Sequence, residues 1–109
     1  VLRNKMDGVA TGVPPTEVKR KLDAGEPVFL LDVRTPREVA QLAIPGAVNI
    51  PLSELRDRVD ELPRDREVVC FCKISLRGYE ASLIAAAAGC DAKFMDGGIV
   101  MWPFDRAGS

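Results

Sequence analysis

The sequence contains no histidine at all, and that absence removes more chemistry than any other feature of its composition. Without imidazole there is no Cys–His or Ser–His–Asp arrangement to deprotonate a nucleophile. The commonest metal ligand is missing as well. Aromatics make up only 6% of the 109 residues. No apolar run approaches the roughly 20 residues of a membrane-spanning helix. Neither charge sign dominates: 15 Lys and Arg stand against 16 Asp and Glu, a formal charge of −1. That balance argues against a nucleic-acid partner or a polybasic membrane-binding surface. Three cysteines, an odd number without regular spacing, do not make a disulfide framework and point to a reducing, cytoplasmic setting. Cys70 and Cys72 lack the second pair and the spacing of a zinc site, so no metal is expected.

What is present reads as one domain, long enough to bury about two-thirds of its unfolded surface. Residues 1–9 have the composition of a linker, residues 10–105 form the domain, and 106–109 are a tail. A chain beginning at Val1 suits a module cut from a longer protein. Ala10–Val13 predicts a short edge strand stopped by Pro14 and Pro15, and Thr16–Ala24 predicts a helix ended by Gly25. Val28–Val33 is apolar enough for a strand covered on both faces. Thr35-Pro36-Arg37-Glu38 is a capping box with proline at the first helical position. Ile44–Ala47 predicts a turn and Val48–Ile50 a brief strand. Ser53 is placed as the cap of a helix running to about Leu62. Glu67–Phe71 predicts a further strand, Leu76–Ala88 a helix stopped by Gly89, and Ala92–Met95 a last strand. Gly97 and Gly98 turn the chain into a terminal half-turn around Trp102. Strands alternating with helices across short loops give an α/β domain with a mainly parallel sheet. In such sheets ligands bind beyond the carboxyl ends of the strands, where Asp32, Arg34 and Cys72 would all lie.

Cys72 stands between a buried strand and a helix N-terminus, where free N–H groups and the positive end of the helix dipole favour a thiolate. Lys73 and Arg77 add positive charge. The expected nucleophile is therefore Cys72. The loop residues Lys73, Ile74, Ser75, Leu76, Arg77 and Gly78, with Arg34, are the expected substrate-binding groups. Asp32 is expected to hold the loop through backbone N–H groups. Arg34 has two readings, an ion pair with Glu38 or another carboxylate, or recruitment of an anion. Cys70 is expected as core filler and Cys90 as structural, with a resolving thiol as its second reading. Trp102 and Phe104 are expected to seal the core, and the Arg56-Asp57-Arg58 and Arg64-Asp65-Arg66 runs to form solvated surface. No Gly-rich dinucleotide fingerprint occurs, so the chain is expected to bind no flavin or nicotinamide of its own, and no other cofactor.

Taken in order, Leu31-Asp32-Val33-Arg34-Thr35-Pro36 with Glu38, Ile44-Pro45-Gly46-Ala47-Val48-Asn49-Ile50-Pro51-Leu52, Glu61-Leu62-Pro63, the strand–Cys–loop of Val68–Arg77, and Gly97-Gly98-Ile99 with Trp102 resemble a rhodanese-like domain. The resemblance spans about Val13 to Trp102. It implies a five-stranded parallel sheet flanked by helices and a loop cysteine that carries sulfane sulfur as a persulfide. Leu76-Arg77-Gly78-Tyr79 is similar to the C-terminal rhodanese modules of FAD- and NAD(P)H-dependent disulfide reductases of the coenzyme A-disulfide reductase type. The partners implied are small sulfur compounds, protein thiols and such a reductase domain. Two positions depart from the family pattern. Leu42-Ala43 replaces a usual Gly-His, and Ser75 replaces the glycine of a Cys-x-x-Gly-x-Arg loop. A serine would be strained if that position needed φ > 0, which supports a second reading, an inactive rhodanese-fold module that binds or regulates. On the same premise, Ser75→Gly is expected to leave sulfur loading equal or raise it. A third reading, a Cys-loop phosphatase with Cys-x5-Arg, needs arginine at position 78, and that residue is Gly78.

Overall fold

The computed structural model describes residues 10–104. The linker and tail assigned to residues 1–9 and 106–109 lie outside the described residues. Five parallel strands form one sheet: β1 Gly12–Val13, β2 Val28–Asp32, β3 Val48–Asn49, β4 Glu67–Phe71 and β5 Asp91–Met95, in the spatial order β1-β5-β4-β2-β3. Four helices connect them: α1 Pro15–Asp23, α2 Pro36–Gln41, α3 Leu52–Leu55 and α4 Leu76–Ala87.

β2 and β4 run side by side with Leu31 opposite Cys70 and Asp32 opposite Phe71. From β2 the chain goes outward to β3, then crosses back to β4 and continues to the other side. The order therefore reverses between β2 and β4, and a crevice forms beyond the carboxyl ends of those two strands. Asp32 and Cys72 close those ends. The β4 side chains alternate between two packed layers. Val68 and Cys70, with Cys72 beyond the strand end, join the layer containing Ala81 and Ala85 of α4; Val69 and Phe71 join the layer containing Val18, Met95 and Trp102. This period-2 division is why a central parallel strand needs apolar residues at every position.

α4 lies close to β4 because Gly78 faces the strand. A Cβ at that position would stand 3.1 Å from the Phe71 Cα and 3.4 Å from the Cys70 carbonyl oxygen. The long helix placed on Ser53–Leu62 is not there. α3 ends at Leu55, Pro51 is its N-cap with no side-chain cap, and a separate 3-10 turn covers Val59–Glu61. The stretch from Arg56 to Arg58 interrupts the helix, and Leu55 and Leu62 are buried independently on either side of it. Among the described residues, no helix is long and apolar enough to cross a membrane.

Gly78→Ala is expected to force α4 outward by a few tenths of an ångström and to cost about 1–3 kcal/mol, as overpacking of a filled interface does. Urea denaturation checks the stability. Sulfur loading measured on the same variant should fall, because α4 carries the loop that follows Cys72.

Candidate active site

Cys72 is the first residue after β4, and Ser75 is the N-cap of α4. Between them the chain bends tightly against a second segment, the 3-10 turn Gly98–Met101 that follows β5. Ile99 N donates to Cys72 O at 2.9 Å and Val100 N to Lys73 O at 3.1 Å. A Cβ on Gly98 would stand 2.2 Å from Ile74 O, 2.4 Å from Cys72 O and 2.7 Å from Lys73 O. The carbonyls of three successive residues thus converge on Gly98, which only glycine permits at that distance and at φ +59°.

The consequence follows from peptide geometry. In a trans peptide the C=O and the N–H point in opposite directions. No cis peptide occurs among the described residues. With the carbonyls of Cys72, Lys73 and Ile74 turned onto Gly98, the N–H groups of Lys73, Ile74 and Ser75 point away from the turn. Among the described residues, the N–H groups of Lys73 through Gly78 have no protein oxygen to donate to. On that side Cys72, Lys73, Ile74, Ser75, Leu76 and Arg77 line a cup of ≈240 Å³. Cys72 is only 2% exposed and sits at the base of this cup. The N-terminus of the twelve-residue α4 adds its dipole.

Ser75 is not strained. Its φ is −142°, and no non-glycine residue among those described has positive φ. Its hydroxyl oxygen accepts the Gly97 N–H at 3.0 Å, a third link between the loop and the turn. Serine at this position therefore makes a contact that glycine could not make, and the strain that would have favoured glycine is absent.

The other expected residues are placed as follows. Arg34 is 3% exposed and forms a buried pair with Asp32: Nε donates to Oδ1 at 3.0 Å and Nη2 to Oδ2 at 2.7 Å. Nη2 also donates to Leu42 O at 2.6 Å. The carboxylate reading of Arg34 holds with Asp32 in place of Glu38, and the guanidinium is not free to recruit an anion. Asp32 does accept a backbone N–H, from Arg34 at 3.0 Å, so it braces the loop after β2 and not the Cys72 loop. The partner of Glu38 is Arg77, whose Nη1 and Nη2 donate to Oε1 and Oε2 at 2.8 and 3.0 Å. The Thr35–Glu38 capping box is formed, so this pair fastens the start of α4 to the start of α2. Hydrogen bonding from Arg77 holds the Glu38 carboxyl down to about 2, against the opposing effect of burial. Arg77 is pushed up first by the same hydrogen bonds, with electrostatic contributions from Cys72 and Asp32.

Cys70 and Cys90 are free thiols buried in the core, and burial raises both above the ordinary thiol range. Neither lines the cup. Trp102 is buried and meets Phe104 edge to face at 5.0 Å. Among the described residues, no group of three or more His, Cys, Asp or Glu is placed to hold a metal ion. Sequence reasoning missed Gly98 as a part of the site. The paired glycines after β5 were the available signal, since adjacent glycines often mark a close backbone approach.

The rhodanese-like domain family matches residues 14–103. The chain belongs to that family. It is 36% identical over 86 residues to a sulfurtransferase of Allochromatium vinosum, covering 78% of this chain and 80% of that protein. It is 42% identical over 88 residues to the HTH-type transcriptional regulator Rv0324 of Mycobacterium tuberculosis, covering 79% of this chain but only 38% of the regulator. Its fold superimposes on the reduced CoADR-RHD of Bacillus anthracis with a TM-score of 0.79 at 38% identity, covering 92% of this chain and 18% of that one. The five-stranded parallel sheet with flanking helices is thus a rhodanese fold of the kind found both as single-domain sulfurtransferases and within longer proteins. Sulfur transfer is the activity these relatives support for the family.

Two outcomes are expected. Ser75→Ala and Ser75→Gly should each lose about 1 kcal/mol for the missing hydrogen bond and slow sulfur loading several-fold, with a shift of the Gly97 amide resonance as the structural readout. The Glu38–Arg77 pair should also make stability depend on acid. A carboxyl depressed from 4.5 to about 2 stabilises the fold above the higher value, and loses that contribution as pH falls toward the lower. Thermal unfolding between pH 5 and pH 2 should therefore fall less steeply in Glu38→Gln than in the wild type.

Proposed function

We propose that the domain is a sulfane-sulfur transferase or carrier that holds the sulfur as a persulfide on Cys72. The observation that carries this reading is the cup itself: one thiol at its base, N–H groups without protein acceptors around it, and a helix N-terminus behind them. Such a site suits a negatively charged sulfur, as a preorganised set of donors suits developing charge elsewhere. With thiosulfate as donor, the Cys72 thiolate attacks the sulfane sulfur, the S–S bond breaks, and sulfite leaves with the electron pair. The persulfide Cys72–S–S⁻ then gives its outer sulfur to a thiolate or to cyanide, and Cys72 leaves as thiolate. No oxidant or reductant is consumed. A persulfide serves as donor in the same way.

The cup is small, and its arginine is already engaged by Glu38, which favours a single sulfur over a tetrahedral phosphate. The reading extends to context. The match to CoADR-RHD, of which this domain spans less than a fifth, supports work as one module of a longer protein; the proposal adds a neighbouring reductase domain that draws on FAD and NAD(P)H, in a cytoplasmic thiol pool. One observation favours the alternative of a binding or regulatory module, the HTH-type regulator among the relatives. The unstrained Ser75 removes the main structural argument for inactivity.

The wild-type domain incubated with thiosulfate is expected to gain one sulfur atom by intact-mass analysis and to convert cyanide to thiocyanate. Cys72→Ser should do neither, with a loss of at least about a thousandfold, the order seen when a nucleophile is removed. A wild type no faster than the variant with thiosulfate and with inorganic polysulfide would leave the regulatory reading standing.

A further inference from the structure

A second cavity, of ≈350 Å³, adjoins the cup. It is lined by Arg34, Glu38, Gln41, Leu42, Ile99 and Val100, and by Lys73, which also lines the cup and so forms the wall between the two. Thiosulfate and cyanide have no use for this space, since the cup alone accommodates the sulfur that moves. The charges facing it do not cancel. Arg34 is matched by Asp32 and Glu38 by Arg77. Lys73 has no carboxylate partner among the described residues, so the cavity presents one uncompensated cation. Leu42, Ile99 and Val100 supply apolar surface for a carbon skeleton, and the Gln41 side chain has no hydrogen-bond partner among the described residues. The two volumes together fall in the range of small-molecule sites.

We propose that this second cavity is the acceptor subsite, and that it takes a low-molecular-weight thiol bearing a carboxylate, with the carboxylate on Lys73 and the carbon body against Leu42, Ile99 and Val100. The thiol reaches over the Lys73 wall into the cup, loses its proton to solvent, and attacks the outer sulfur of Cys72–S–S⁻. The S–S bond breaks, R–S–S⁻ departs, and Cys72 returns to thiolate. This rests on the persulfide reading of Cys72, yet binding can be tested without it.

Gln41 is exposed near the end of α2 and belongs to neither the cup nor the turn that shapes it, so Gln41→Trp fills the cavity without disturbing either. With thiosulfate as donor, that variant should keep the wild-type rate toward cyanide. It should lose at least about tenfold in kcat/KM toward mercaptosuccinate, mainly through KM. Wild type should prefer mercaptosuccinate to neutral 2-mercaptoethanol by a similar factor, and Lys73→Gln should erase that preference. The independent arm uses Cys72→Ser, in which no sulfur can move. S-methylmercaptosuccinate titrated into it should shift the amide resonances of Leu42, Ile99 and Val100, and Gln41→Trp in the same background should abolish the shifts. Absence of binding in Cys72→Ser, or unchanged thiol kinetics in Gln41→Trp, overturns the subsite. The subsite also falls if Gln41→Trp spares both small thiols and blocks only transfer to a cysteine-containing protein, since the cavity would then be a macromolecular docking site. Binding that persists while wild type loads no sulfur would instead refute the persulfide reading.

Discussion

The shape of the Cys72 loop depends on a main-chain contact, the packing of three carbonyl groups onto Gly98. A loop of six residues has twelve backbone dipoles to arrange, and nothing within the loop decides which way they face. The 3-10 turn after β5 decides it. By accepting the Ile99 and Val100 N–H groups, the carbonyls of Cys72 and Lys73 are fixed on one side, and planarity puts the following N–H groups on the other. Ser75 repeats the link through its hydroxyl, accepting from Gly97. The donor-rich side of the loop is thus built by a segment more than twenty residues further along the chain. A substitution at Gly98 would act on Cys72 without approaching its side chain.

The ion pairs divide the same way between framework and site. The Asp32–Arg34 pair is buried, and removing one partner of such a pair strands the other at a cost of several kcal/mol. Its task is to fix the chain leaving β2, together with Asn49, whose side-chain amide donates to Asp32 O and Arg34 O at 2.9 Å each. Arg77–Glu38 is half-exposed and individually weaker, but it joins two helix starts that flank the crevice. Exposed pairs such as Arg20–Glu17 and Arg58–Glu61 carry little stability by comparison. Once the framework pairs are closed, Lys73 is the cation that remains at the cup among the described residues.

The sheet, the element order and the position of Cys72 were legible in the sequence because each rests on local patterns. The apolar run of β4, the Thr35–Glu38 capping box and the glycines at helix ends all act within a few residues of where they are read. The partners of Arg34 were not legible, since Asp32, Glu38 and Leu42 are all within reach in the chain and only packing chooses among them. The helix proposed for Ser53–Leu62 failed for a related reason. Its apolar positions fit helical spacing, but Leu55 and Leu62 are each buried against the sheet layer by separate short turns. The task of Ser75 was hidden because its partner, Gly97, is 22 positions away.

Burial does not distinguish the proposed nucleophile from the other two thiols here. Cys70, Cys72 and Cys90 are 0%, 2% and 1% exposed. What differs is what lies above each sulfur. Cys70 and Cys90 are covered by core, where desolvation opposes ionisation; at Cys90 the charge of Arg64 offsets it only in part. Cys72 is covered by the walls of an open cup whose lining is its own loop. The sulfur is reached through a recess of ≈240 Å³ lined by residues 72–77. Ile74 and Leu76 on the loop, at 61% and 72% exposed, give that opening an apolar edge. Access, set by the shape of the loop and its rim, is therefore what separates Cys72 from the two thiols of the core.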